Sequence, residues 1–444
     1  MKSEILYKGI NMRVIIYFLY NFLVIPVLYC LFHTAYLFND KIKKGIKGRK
    51  KLLKKLRKDL EAFNDKHPRF WIHCSSMGEF EQSKPLIRKL KNEFPQGFVI
   101  VSFFSPSAFE HIKGYNESDY NCYLPFDSKR KAAYFISEIK PDIVLIVRHD
   151  LWPNYLYELN RRNIPAILIN STIHRNKGYE FFYQIFERVL YHNFSAIFTI
   201  SDETKKYFID KNIYNGIIKY VGDTRYDQVI YRASNSSKVV KPLEKSIYNR
   251  KVFIAGSTWP DDEQVIMGAV TKIKKEGIKI WLVLIPHEPN VESLQNIEEK
   301  ANEYELSYTK FSELNNQKQV NNKTDILIVD KVGVLAALYA LGDICFVGGA
   351  FGPGIHNVLE PAAHGKIIVF GPKNSNSFEA QQLKEKGVAF EVKNSDELYS
   401  LLTSVLKKTE KLKNLGEKAK QIVSENVGTS DRIVEQLKQM YDLK

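Results

Sequence analysis

From Val14 to Asn39 the chain reads VIIYFLYNFLVIPVLYCLFHTAYLFN, with no Asp, Glu, Lys or Arg. As a helix this stretch is long enough to cross the hydrocarbon core of a bilayer, which takes about 20 residues. Asn21, Pro26 and His33 are unfavourable in lipid but tolerated there. A cleaved secretory signal fits less well, because the stretch is too long, runs into a basic segment and lacks a small-residue cleavage site. The pattern predicts a retained membrane anchor over residues 1–40, with Met12 an alternative start.

The next segment is charged. Residues 41–58, KIKKGIKGRKKLLKKLRK, hold 11 Lys or Arg and no acid. Positive charge flanking an apolar span marks the cytoplasmic side, so the rest of the chain is expected in the cytoplasm, on the inner membrane. Leu52, Leu53, Leu56 and Leu60 recur at helical spacing. That spacing predicts a helix within 41–62 whose apolar stripe lies on anionic membrane lipids. A merely solvated charge run is the plainer alternative.

From about Arg69 short apolar runs alternate with helix-like segments, which predicts strands and crossover helices of a parallel sheet. The candidate strands are 70–76, 97–103, 142–147, 166–171 and 196–201. They are nearly continuous apolar runs, as expected where helices cover both faces of a sheet. A polar stretch at 233–250 reads as a linker. The rhythm then restarts with strands at 251–257, 280–288, 325–330, 343–350 and 366–372. The expected architecture is α/β: two Rossmann-like, doubly wound parallel-sheet domains, 63–232 and 251–444, facing a cleft. The last stretch, 396–443, is expected to pack on the second domain, with a crossing back to the first as the alternative. Such sheets bind ligands beyond the carboxyl ends of their strands.

Composition changes this picture little. Without the 11 cations of the basic run, the net charge of +15 falls to +4, so the charge is local and signals no nucleic-acid partner. The run also lacks interleaved aromatics on which bases could stack. Cys30, Cys74, Cys122 and Cys345 are far apart and show no C-x-x-C spacing, which argues against a disulfide framework or a structural zinc and fits a reducing compartment. The 25 Tyr and 27 Phe are most simply core and interface material.

Three strand ends carry candidate chemistry. Ser75-Ser76-Met77-Gly78-Glu79-Phe80 places a carboxylate in the first turn of a helix, which serves equally as helix-start electrostatics or as a catalytic group. Gly256-Ser257-Thr258-Trp259-Pro260-Asp261-Asp262-Glu263 makes a good helix start, which can cap itself or hold a phosphate on free N–H groups; capping is the commoner use. The most specific stretch runs from Gly348 to Gly365, GGAFGPGIHNVLEPAAHG, where a glycine-rich turn opens a helix with Asn357 and Glu360. It can bring backbone close to a phosphate and a carboxylate to ribose hydroxyls. It is neither G-x-G-x-x-G nor a Walker loop, so dinucleotide redox and P-loop chemistry lose support. No Asp-x-Asp occurs to clamp a nucleotide sugar through a divalent metal, which points to metal-free transfer with no cofactor.

Together with WIHCSSMGE (71–79), YLPFD (123–127), DLWPN (150–154), VGDTRYD (221–227) and FGPKNSNSFEAQQL (370–383), these motifs resemble the Kdo transferases. That family moves 3-deoxy-D-manno-octulosonic acid (Kdo) from CMP-Kdo onto the lipid A precursor, lipid IV-A, in lipopolysaccharide synthesis. The resemblance implies a GT-B fold and inversion without metal, with Glu79 as general base toward the acceptor hydroxyl. It further implies that Gly256, Ser257, Thr258, Pro286, His287, Gly349, Asn357 and Glu360 line the CMP-Kdo site. Ser76, Gly78 and Asp150 are candidates for the acceptor, and Arg148, Arg175, Lys177 and Arg225 for the acceptor phosphates or the Kdo carboxylate, the arginines because they bind such groups bidentately. For each cation, a surface salt bridge is the plain alternative. The chain departs from the family at Arg148-His149-Asp150, where many members carry Glu-Thr-Glu. It departs again at Pro286-His287-Glu288, where Pro-Arg-His is usual, and over Asp330 to Val334. The nearest rival function is a membrane-surface transferase using a UDP-sugar, such as a lipid A disaccharide synthase or a peptidoglycan-precursor transferase.

Overall fold

The computed structural model describes residues 12–443 apart from 113, 174–179, 245, 248–249, 315–320, 322 and 408. It divides into two compact units, Met1–Gln228 with Gly428–Lys444, and Val229–Val427.

Each unit is built on a seven-stranded parallel sheet. In the first the strands are β1 (Arg69–Cys74), β2 (Phe98–Phe103), β3 (Tyr120–Tyr123), β4 (Ile143–Val147), β5 (Ala166–Ser171), β6 (Ala196–Thr199) and β7 (Ile217–Tyr220). Their order across the sheet is β3-β2-β1-β4-β5-β6-β7, so the winding reverses between β1 and β4. In register, His73 lies beside Ile146. The second unit holds β8 (Lys251–Thr258), β9 (Ile280–Pro286), β10 (Tyr308–Lys310), β11 (Ile326–Ile328), β12 (Ile344–Val347), β13 (Ile367–Phe370) and β14 (Ala389–Glu391). Here the order is β10-β11-β9-β8-β12-β13-β14, reversing between β8 and β12, with Gly256 beside Val347. A reversal point is where an open α/β sheet leaves a crevice beyond its strand ends, and both motif-bearing turns sit at one.

Both faces of the central strands are buried, which explains their near-continuous apolar runs. Trp71 of β1, 1% exposed, anchors one face of the first sheet among Phe135 and Tyr155. Phe70, Ile72 and Cys74 anchor the other.

Three features differ from the sequence-based expectation. The basic segment is one helix, Asp40–Glu61, but its leucine stripe does not face a membrane. Leu52, Leu56 and Leu60 are buried in the core of the first unit with Phe98, Tyr123 and Phe135. The helical spacing holds; the apolar surface it serves is the chain's own. The stretch 233–250 is not an open linker, since helices Thr224–Ser234 and Ser237–Glu244 run through its first half and Val240 and Leu243 are buried. The final helix, Thr429–Met440, packs Ile433, Val434 and Leu437 against Phe70 and Leu86 of the first unit, so the second unit is an insertion within the first.

Candidate active site

At the reversal point of the first sheet, β1 ends in Ser75-Ser76 and the helix Met77–Glu93 begins. Ser76 is its N-cap, and Glu79 closes a capping box. The Glu79 N–H donates to Ser76 Oγ at 3.4 Å, while Glu79 Oε2 accepts from the Ser75 and Ser76 N–H groups at 2.5 and 3.1 Å. Helix-start electrostatics therefore operate here, and they fix the carboxylate at the sheet edge. Burial raises the Glu79 carboxyl above its ordinary value and the Asp150 charge adds to this, against the two serine N–H groups and His73. Gly78 is exposed, and a Cβ there would meet only Ser76 Oγ at 3.9 Å, so the helix start is open above Glu79.

Asp150 follows β4 and reaches the same edge. Its Oδ2 accepts from Trp152 Nε1–H at 2.8 Å and lies 2.5 Å from His73 Nε2. Behind His73, Trp71 Nε1–H donates to Ser102 Oγ at 2.8 Å, and His73 Nδ1 lies 2.8 Å from that hydroxyl. One proton assignment satisfies every member: Ser102 O–H donates to His73 Nδ1, and Nε2–H donates to Asp150. Burial acts to raise the Asp150 carboxyl, but the bonds from His73, Trp152 and Ser75 outweigh it and hold the group below its ordinary value. Two carboxylates with opposite tendencies thus share one sheet edge, an arrangement suited to separate acid–base roles. His73 was not singled out by spacing, because an inward-facing residue in a continuous apolar strand reads as core.

The remaining acceptor-side candidates are held differently. Arg148 has a left-handed backbone (φ +64°), and its Nε donates to Gln82 at 3.0 Å. Gln82 also bonds Asn170, whose amide reaches Thr224 at 2.6 Å. Arg225 is paired with Asp223, at 2.7 and 2.8 Å. Arg175 and Lys177 lie outside the described residues.

At the reversal point of the second sheet, the glycine loop is locked by an acid from the first turn of the helix Pro260–Lys275. Asp262 is fully buried. Its carboxylate accepts the N–H groups of Trp259 at 2.9 Å, Gly349 at 2.7 Å and Phe351 at 3.2 Å. Gly349 has φ +92°, and a Cβ there would lie 2.2 Å from the Gly354 carbonyl oxygen, so only glycine fits. Gly256 is crowded by side chains instead, with Tyr339 Oη at 2.2 Å and Leu335 Cδ1 at 2.6 Å from a notional Cβ. Ser257 has φ +55°, and the Gly348 N–H donates to the Gly256 carbonyl at 2.8 Å. These amides are engaged within the protein rather than turned toward a phosphate.

Side chains supply the open surface. Trp259, His287 and His356 form a stack, with centroids 5.2 Å apart for Trp259–His287 and 4.3 Å for His287–His356. Trp259 Nε1–H donates to His356 Nε2 at 2.9 Å. Burial, then His287, push the His356 imidazole down to about 4, so it is neutral at pH 7 and acts as acceptor. A cavity of about 250 Å³ brings together Thr258, Trp259, Pro286 and His287, walled by Glu263, Glu288 and Glu292 and, among the described residues, by no Lys or Arg. Asn357 and Glu360 are not among its lining. Asn357 Oδ1 caps the Leu359 N–H at 3.1 Å, and Glu360 pairs with Arg232 at 2.8 Å.

Residues 46–228 match the family described as 3-deoxy-D-manno-octulosonic-acid transferase (kdotransferase). The chain is 28% identical over 357 residues to the 3-deoxy-D-manno-octulosonic acid transferase of Aquifex aeolicus, covering 79% of this chain and 90% of that protein. The chain is thus similar to the Kdo transferases over most of its length. The Haemophilus influenzae Kdo transferase is 26% identical over 83% of this chain and 86% of its own length. A bifunctional glycosyltransferase/methyltransferase of Fusobacterium nucleatum is 28% identical over 84% of this chain, which spans only 57% of that longer protein. Among solved structures, UDP-GlcNAc 2-epimerase from Neisseria meningitidis shares the fold, with TM-score 0.58, 15% identity and coverage of 84% of this chain and 100% of that one. A Rickettsia africae glycosyltransferase does so at TM-score 0.54 and 14% identity, covering 84% and 97%. Like these neighbours, the chain has the two-sheet GT-B architecture.

Proposed function

We propose that the chain is an inverting, metal-independent glycosyltransferase that moves Kdo from CMP-Kdo onto a hydroxyl of lipid IV-A at the cytoplasmic face of the inner membrane. The observation that carries this reading is Glu79, held at a sheet edge with its carboxyl raised and an ionised Asp150 beside it. As the acceptor oxygen bonds to the anomeric carbon of Kdo, its proton passes to Glu79 Oε1 or Oε2. The bond from that carbon to the CMP phosphate breaks with its electron pair on the phosphate. Attack opposite the leaving phosphate inverts the centre. Asp150 keeps Glu79 basic, and the His73–Ser102–Trp71 chain keeps Asp150 charged.

The second unit is assigned to the donor. Its fixed glycine loop and the Trp259–His287–His356 stack offer a rigid, partly aromatic surface to a nucleotide. In the cavity lined by Trp259 and His287, His287 takes the place that arginine holds in the family pattern Pro-Arg-His.

Incubation of tetra-acylated, bisphosphorylated lipid A precursor with freshly made CMP-Kdo and EDTA, followed by mass spectrometry, tests this. Kdo-sized additions by the wild type and none by Glu79→Ala are expected, and their number counts the sugars transferred. Addition by both proteins removes Glu79 as base. No addition with CMP-Kdo, but transfer from a UDP-sugar, overturns the donor assignment.

A further inference from the structure

We propose that the apolar helix Met12–Phe38 lies in the plane of one membrane leaflet, docked along its own first unit, instead of crossing the bilayer. Length and composition alone allow a crossing, since 27 residues make a helix of about 40 Å. The contacts oppose it.

One face of the helix is engaged over most of its length. Tyr17 accepts from Asn193 at 3.0 Å, and Tyr20 donates to the buried Asp127 at 2.8 Å. Asn21 and Asn154 exchange amide bonds at 3.1 and 3.0 Å. Further along, the Phe32 ring packs on Phe126 at 5.1 Å and Phe104 at 5.9 Å. From Tyr17 to Phe32 the helix advances about 22 Å against protein, leaving too little at either end to reach through a core about 30 Å thick. A docked helix that crossed would carry Asp127, Lys129, Glu158 and Arg161 into hydrocarbon, at about 2.5–3.5 kcal/mol or more for each charge. An undocked one would leave Asp127 and Asn154 short of partners.

The opposite face fits a leaflet. Ile15, Phe18, Phe22, Leu23, Leu31 and Phe38 are 50–85% exposed, a patch that a soluble surface does not carry. The helix Asp40–Glu61 that follows exposes ten of its eleven cations, Arg49 alone being buried. At the other end, Arg13, Lys129 and Arg161 line a cavity of about 470 Å³ with Tyr17 and Tyr157. Cations at both ends of an apolar face are complementary to anionic lipid headgroups, which is the occupant assigned here. The inference does not depend on which sugar is transferred.

The two topologies differ in where the N-terminus emerges. In the full-length protein with Cys30→Ser, a Ser3→Cys thiol is probed with a membrane-impermeant maleimide in spheroplasts and in inverted membrane vesicles, with Lys43→Cys as the reference. Cys74, Cys122 and Cys345 are buried and stay silent. In-plane docking is expected to label both positions from the same face, with at least a tenfold preference. Labelling of Ser3→Cys from the opposite face, or only after detergent, overturns it.

Discussion

His73 and Asp150, 77 residues apart in the chain, meet at 2.5 Å across the reversal point of the first sheet. That contact ties an acidic loop to the interior of the sheet through Ser102 and Trp71, and so sets the charge beside Glu79. Asp150→Asn removes a charge that raises the Glu79 carboxyl, so the acidic limb of kcat against pH is expected to move to lower pH. Glu79→Gln should instead lower kcat about 10²–10⁴-fold at every pH. Steady-state rates between pH 5 and 9 separate the two.

Tyr20→Phe should destabilise the first unit in a pH-dependent way. Burial raises the Asp127 carboxyl from 3.8 to about 6 even though the Asn154 N–H and the Tyr20 hydroxyl hold it down. A buried acid with a raised value costs stability increasingly as pH rises through that interval, so its hydrogen bonds matter most above pH 6. Thermal unfolding in detergent at pH 7.5 is expected to show a loss of about 1–3 kcal/mol, shrinking at pH 5.

Asp262→Ala should unlatch the glycine loop. Three N–H groups lose their acceptor, the buried one of Gly349 at about 1–3 kcal/mol and the part-buried ones of Trp259 and Phe351 at less. Calorimetric titration with CMP should show binding weakened at least tenfold, and the second unit should melt earlier. Asp262→Asn, which keeps one acceptor oxygen, should fall between.

Leu56→Ala reports on the basic helix. Leu56 is fully buried, so its truncation should cost about 2–5 kcal/mol in denaturant unfolding. Flotation with anionic liposomes should be unchanged under native conditions, because the apolar face of Met12–Phe38 and the exposed lysines carry that interaction and both remain on the surface. Loss of flotation without loss of stability would return the leucine stripe to the membrane.

The inner strands were legible because helices cover both of their faces, which forces unbroken apolar runs such as IVLIV in β4. The strands without a signal, β3, β7, β10 and β14, are the outer ones of their sheets. Half-exposed, they read YNCY, IIKY, YTK and AFE, which no periodicity separates from loop. Turns at strand ends mark both candidate sites, since Gly349 and Glu79 occupy positions whose backbone or cap demands them. What stayed hidden was long-range: the His73–Asp150 contact, the Asp262 latch and the partner of each arginine depend on which loops the topology brings together. The leucine stripe shows the same limit from the other side, because helical spacing says that a face is apolar but not what covers it.

The closing helix has a bearing on biosynthesis. Its residues Ile433, Val434 and Leu437 complete a core begun by Phe70, some 360 residues earlier. While the chain emerges from the ribosome, the domain started first must therefore wait, with a strip of that core uncovered, until the inserted unit has been made and the last residues are free. A chain cut after Gln228 would keep that strip open to water, whereas one rejoined directly to Gly428–Lys444 would close it without the second unit.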